Sequence, residues 1–154
     1  MQAAKKADDS LLRDYAETTV AVADIKIAVR SMKTGKNKDF MKRAMAECNT
    51  LDIDRLATAA VAGMEEIERY LADTAYAGGA EALSESASAF ERWCDNRIIE
   101  TIKPQKYNPF TVGPIVAYIL ARLNEIKTVR IILTCKLNQL PEEAIRERVR
   151  EMYV

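Results

Sequence analysis

The chain has 154 residues, enough for one domain to bury a sizeable core, and its 49% apolar and 30% charged residues exclude a disordered chain. Lys plus Arg and Asp plus Glu are each 23, so no overall charge draws it to nucleic acid or to an anionic membrane surface. Histidine is absent, which removes the commonest general base and the commonest metal ligand together.

With 5 glycines, 4 prolines and no sustained alternation of period two, the sequence predicts an all-α fold, a helical bundle with long helices. The first helix is expected over about 3–33, with Leu12, Tyr15, Thr19, Val22, Val29 and Met32 on one face and Gly35 at its end. A short amphipathic helix follows with Phe40, Met41, Ala44 and Met45. Asp52 then caps a helix running to about 74, weakened at Gly63. Tyr76–Gly79 reads as a break. A helix over about 80–103 carries Leu83, Ala87, Phe90, Cys94, Ile98 and Ile102 until Pro104 stops it. Residues 104–111 read as a loop around Asn108-Pro109. A long helix is expected over about 111–138, burying Val112, Ile115, Ile119, Leu123, Ile126, Leu133 and Leu137. Pro141 opens a last helix carrying Ile145, Val149 and Met152, with Arg146, Arg148 and Arg150 near its C-terminal end.

Cys48, Cys94 and Cys135 are odd in number and far apart, so they read as reduced core residues of a cytoplasmic protein. The longest apolar run, Ile115–Ala121, is far shorter than the roughly 20 residues a spanning helix needs. No GxxxxGK[ST], HExxH or GxSxG is present, so neither a phosphate loop nor a catalytic residue, cofactor or metal is expected. Glu65, Glu66, Glu68 and Asp73 read as a solvated acidic face. Trp93, Tyr107 and Phe110 beside Lys103 and Lys106 read as packing groups, with too few cations for nucleic acid.

Residues 24–47 and 128–151 look alike at a constant offset, each a long helix, a link and a short helix. Lys26 and Arg130 fall at the same place in the two copies, each on an apolar stripe. A cation there is costly unless paired or led out to solvent. Asp95, beside Cys94 near its own helix's stripe, is the acid proposed for Arg130. Lys26 is expected to find Glu17, Asp24 or Glu125.

From Tyr107-Asn108-Pro109-Phe110 through Pro114–Ala121, Asn124–Lys127, Val129–Leu133 and Lys136–Glu143 to Ile145–Arg148, the chain resembles the C-terminal signature of the C subunit of V/A-type ATP synthases. The eukaryotic relative of that family is the V-ATPase d subunit. Ile25–Arg30 with Gly35-Lys36 resembles an earlier repeat of the family, and Phe90–Asn96 also fits. Leu123, Cys135 and Gln139 depart from the pattern, which has an acid, a small residue and often glycine there.

The resemblance implies a pseudo-threefold architecture of similar helical bundles. Residues 1–50 would form a partial repeat and 51–154 a complete one, the C-terminal part of a longer protein. It implies a non-catalytic rotor part, peripheral on the cytoplasmic face of the membrane, between the central-stalk D and F subunits and the membrane proteolipid ring. A part in that position needs two interfaces. Tyr107 and Phe110 at one end of the long helix, and Leu137, Asn138, Gln139 and Leu140 at the other, are the candidates. A partial repeat would also leave an apolar face open to self-association. The alternative reading is a helical-bundle adaptor or regulator of another family. A carboxylate metalloenzyme comes third.

Overall fold

Ser10–Lys33 forms the first helix, α1, of a computed structural model that describes residues 10–153. It is followed by α2 (Lys38–Ala44), α3 (Ile53–Ala62), α4 (Met64–Ala72), α5 (Ala77–Glu85) and α6 (Ala87–Ile102). A 3-10 turn (Lys103–Tyr107), α7 (Gly113–Leu137) and α8 (Glu142–Arg148) complete the order. No strand occurs among the described residues. The expected start of the first helix near residue 3 lies outside them.

Side-chain caps explain three of the boundaries. The Asp52 carboxylate accepts the Arg55 N–H at 3.0 Å and so starts α3, as the sequence predicts. Asn37 accepts from Phe40 at 2.9 Å and starts α2. Ser86 accepts from Ala89 at 2.9 Å with an extended backbone, which divides the single helix expected over 80–103 into α5 and α6. Gly63 turns to φ +140° and ends α3 outright, where only a weakening was expected. Gly78 and Gly79 do not break the chain but lie in the first turn of α5. A Cβ on Gly79 would stand 2.8 Å from the Trp93 ring, so close helix packing requires glycine there. Half of the expected 104–111 loop is the 3-10 turn.

Among the described residues two apolar clusters hold the helices together. The larger runs through α1 to α6, with Ile25, Met41, Leu56, Ile67 and Leu71 fully buried, and it is continuous across residue 50. The smaller joins α1, α6 and α7 through Leu11, Ile99, Ile102, Ala117 and Ala121. In α1 the buried face centres on Leu11, Thr18, Val22, Ile25 and Val29. Leu12, Tyr15, Thr19 and Met32, expected inside, are half-buried at its edge.

α7 overturns an expectation. Val112, Ile115, Ile119, Leu123, Ile126, Leu133 and Leu137 are exposed. The face turned to the protein is instead Gly113, Ala117, Ala121, Asn124, Thr128 and Cys135. Small residues let α7 lie close to its neighbours, so the bulky stripe points away from them.

The likeness between the two halves extends to the backbone. α1 and α2 end at Lys33 and Ala44, and α7 and α8 end at Leu137 and Arg148. Lys36 N–H donates to Ser31 at 2.9 Å and Leu140 N–H to Cys135 at 3.0 Å, the same cap closing both long helices. Gly35 at φ 65° and Gln139 at φ 55° occupy the corresponding left-handed position. A side chain there costs roughly 1 kcal/mol that glycine avoids. Gln139→Gly is therefore expected to raise stability by about 1 kcal/mol in urea unfolding, and Gly35→Ala to lower it by a similar amount.

Candidate functional site

What the helices position is a buried charge network and two exposed ends of one helix. Asp95, on α6, is 8% exposed, and its carboxylate accepts from Arg150 Nε at 2.7 Å and from Lys127 Nζ at 2.7 Å. Lys26, on α1, lies 2.8 Å from Glu91 and 3.9 Å from Asp95, while Arg30 reaches Glu91 at 3.0 Å. Burial pushes the Asp95 carboxyl upward, but its bonds to Lys127 and Arg150 outweigh that and hold it below the usual carboxylate range. Burial acts upward on Glu91 too, and Lys26 and Arg30 bring it below its ordinary value. The network ties α1, α6, α7 and the C-terminal segment of residues 149–153. Asn124 Nδ2 donating to Glu151 O at 2.8 Å and Glu151 N–H donating to Asn96 at 2.8 Å fasten that segment further.

The expected pairings need correction. Arg130 is exposed and does not meet Asp95. Lys127, three positions earlier, is the α7 cation that faces α6, because α7 is rotated with its bulky stripe outward. Lys26 meets none of its expected acids. Glu17 accepts from Asn49 and Thr50, Asp24 accepts the Ala46 N–H at 3.1 Å, and Glu125 pairs with Arg122 on its own helix. Arg150, which its sequence position assigns to a helix end, is the second partner of Asp95, at the same 2.7 Å as Lys127.

The candidate interface residues lie where the expectation put them in the chain. Tyr107 is 86% and Phe110 99% exposed at one end of α7, and Leu137 is 87% exposed at the other. Asn138, Gln139 and Leu140 are exposed. Tyr107 and Phe110, read from the sequence as packing groups, therefore stand largely in solvent instead. The α7 between these ends spans about 37 Å at 1.5 Å per residue.

Asp24 carries no mark of a special role in the sequence, yet it is buried, and its Oδ2 has no hydrogen-bond partner. Burial pushes it up to about 6, against a smaller opposite pull from the Ala46 N–H. The three thiols are free. Burial pushes Cys94 up to about 12 and also raises Cys48. On the acidic face Glu65 and Asp73 are exposed and Glu66 pairs with Arg69 at 2.9 Å. Trp93 packs between Tyr76 and Phe90. No helix among the described residues is long and apolar enough to cross a membrane.

The family model described as the ATP synthase (C/AC39) subunit matches residues 1–148. The chain belongs to the ATP synthase C/AC39 family. A curated relative, the C subunit of the A-type ATP synthase of Methanocaldococcus jannaschii, is 26% identical over 148 residues, covering 90% of this chain and 37% of its own length. The chain thus spans little more than a third of that relative. No solved structure matches it significantly. The C/AC39 match covers Lys26, Glu91, Asp95 and Lys127 of the charge network, both ends of α7 and the whole of α8.

Proposed function

We propose that this C/AC39 chain is a non-catalytic rotor part of a V/A-type ATP synthase, coupling the D–F shaft to the membrane proteolipid ring. The observation that supports it most directly is one continuous helix, α7, with bare apolar groups at both ends. Tyr107 and Phe110 stand at one end, Leu137 and Leu140 at the other, and the buried charge network braces the helix between them. A part that passes torque needs separated contact points and little give between them. In this reading the protein is peripheral on the cytoplasmic face, and its repeats form part of a pseudo-threefold arrangement.

The test is reconstitution of the full-length protein with purified D–F shaft and detergent-solubilised ring. Binding to both supports the proposal. Phe110→Asp is expected to weaken one of the two attachments at least tenfold, and Leu137→Asp the other. Binding to neither, with circular dichroism showing an intact helical fold, would sink it.

A further inference from the structure

The correspondence between the two halves carries information about α7 that neither half carries alone. Ile115, Ile126, Val129 and Leu133 stand where α1 has Leu11, Val22, Ile25 and Val29. All four α1 residues are buried and all four α7 residues are exposed. Arg130 stands where α1 has Lys26, and Lys26 is held by two carboxylates one turn apart on α6, Glu91 and Asp95. Thr18 on the same α1 face meets Thr101 of α6 at 3.3 Å. The face that α6 helps to cover on α1 is therefore bare on α7, with its apolar seam and its cation both in place.

We propose that the outer face of α7 is a docking groove for an acidic amphipathic helix of α6 type, supplied by a partner. That helix carries an apolar seam for Ile126, Val129 and Leu133 and two carboxylates four residues apart for Arg130. The charge on α7 selects this occupant over a second copy of the same face. Arg122, Arg130 and Lys136 are exposed against a single acid, Glu125, which Arg122 already engages. Two α7 helices laid antiparallel about Ile126 would set Arg122 of each copy against Arg130 of the other. This inference stands on the internal correspondence and does not depend on the rotary reading.

The test uses the full chain and a synthetic peptide of residues 86–103 as the probe, followed by amide hydrogen exchange. Millimolar peptide is expected to slow exchange in α7 while leaving α1 unchanged. Leu133→Lys, on an exposed position that leaves the fold intact, is expected to weaken binding at least tenfold. A peptide carrying Glu91→Lys and Asp95→Lys is expected to lose binding to the native chain and regain it with Arg130→Glu. No slowing in α7, slowing confined to α1, or indifference to the charge exchange would each overturn the proposal. So would a dimer of the chain alone that already protects α7.

Discussion

Asp95→Ala is expected to destabilise the protein by about 3 kcal/mol, near the lower end of the roughly 3–5 kcal/mol seen when one partner of a buried ion pair is removed. The cost comes from the survivors. Lys127 is half exposed and can turn its ammonium to water, but Arg150 is 7% exposed and would be left with its charge uncompensated. Its remaining bond, to the Arg148 carbonyl, does not neutralise it. Lys26 keeps Glu91 and loses little. The segment of residues 149–153, which depends on this anchor, should loosen with it. Arg130→Met is expected within about 0.5 kcal/mol of the parent, because an exposed residue away from such features seldom counts. Joint replacement, Asp95→Leu with Arg150→Met, should recover most of the loss, since removing both charges abolishes the desolvation as well as the attraction. Urea unfolding of the four proteins decides it. An Asp95→Ala variant within about 1 kcal/mol of the parent would show the pair to be idle. Because the Asp95 pKa is lowered on folding, its contribution is present above the ordinary value of 3.8 and disappears as pH falls through the folded value.

Asp24→Asn is expected to act in the opposite sense. The folded pKa of about 6 lies above the ordinary 3.8, so the folded state favours the protonated form. Stability from this group is fully present below about 3.8 and is lost as pH rises through about 6. At about 1.36 kcal/mol per unit the difference comes to about 3 kcal/mol at most. An asparagine preserves the acceptor for the Ala46 N–H and carries no charge to desolvate. The variant should therefore match the parent near pH 4 and exceed it by about 1–3 kcal/mol near pH 7, on the order that the linkage allows. The informative quantity is the difference between the two stability curves, since the other titrating groups cancel in it. A difference that does not change with pH would show that Asp24 is not held in its neutral form.

How far the sequence carries can be judged from particular residues. Asp52 and Pro104 mark boundaries correctly because a capping oxygen and a missing N–H act locally. The membership of the chain in its family and its all-helical class are legible for the same reason, as ordered local patterns. Ser86 escapes notice because a serine inside an amphipathic run looks like any polar helix residue until its side chain turns back to cap. The buried face of α7 is misread because this helix is apolar on both sides. Periodicity finds the bulkier stripe, while packing chooses the smaller one. The partner of Asp95 is misassigned because the sequence reads Arg150 as a cation on the last helix, whereas that helix ends at Arg148 and Arg150 reaches Asp95 across 55 positions. Nothing local distinguishes Asp24 from a surface acid, and its burial depends on where α2 folds back.

The unequal size of the two apolar clusters means that the molecule should not melt as one piece. α7 is fastened mainly by the smaller cluster and by the charges around Asp95, whereas α1 to α6 share the larger one. The lone Trp93 packs against the larger cluster. Its fluorescence would therefore follow the more durable part and stay silent while α7 and α8 release. Far-ultraviolet dichroism counts every helical residue and would fall first. A single midpoint taken from tryptophan emission would credit the long helix with a firmness that belongs to its neighbours.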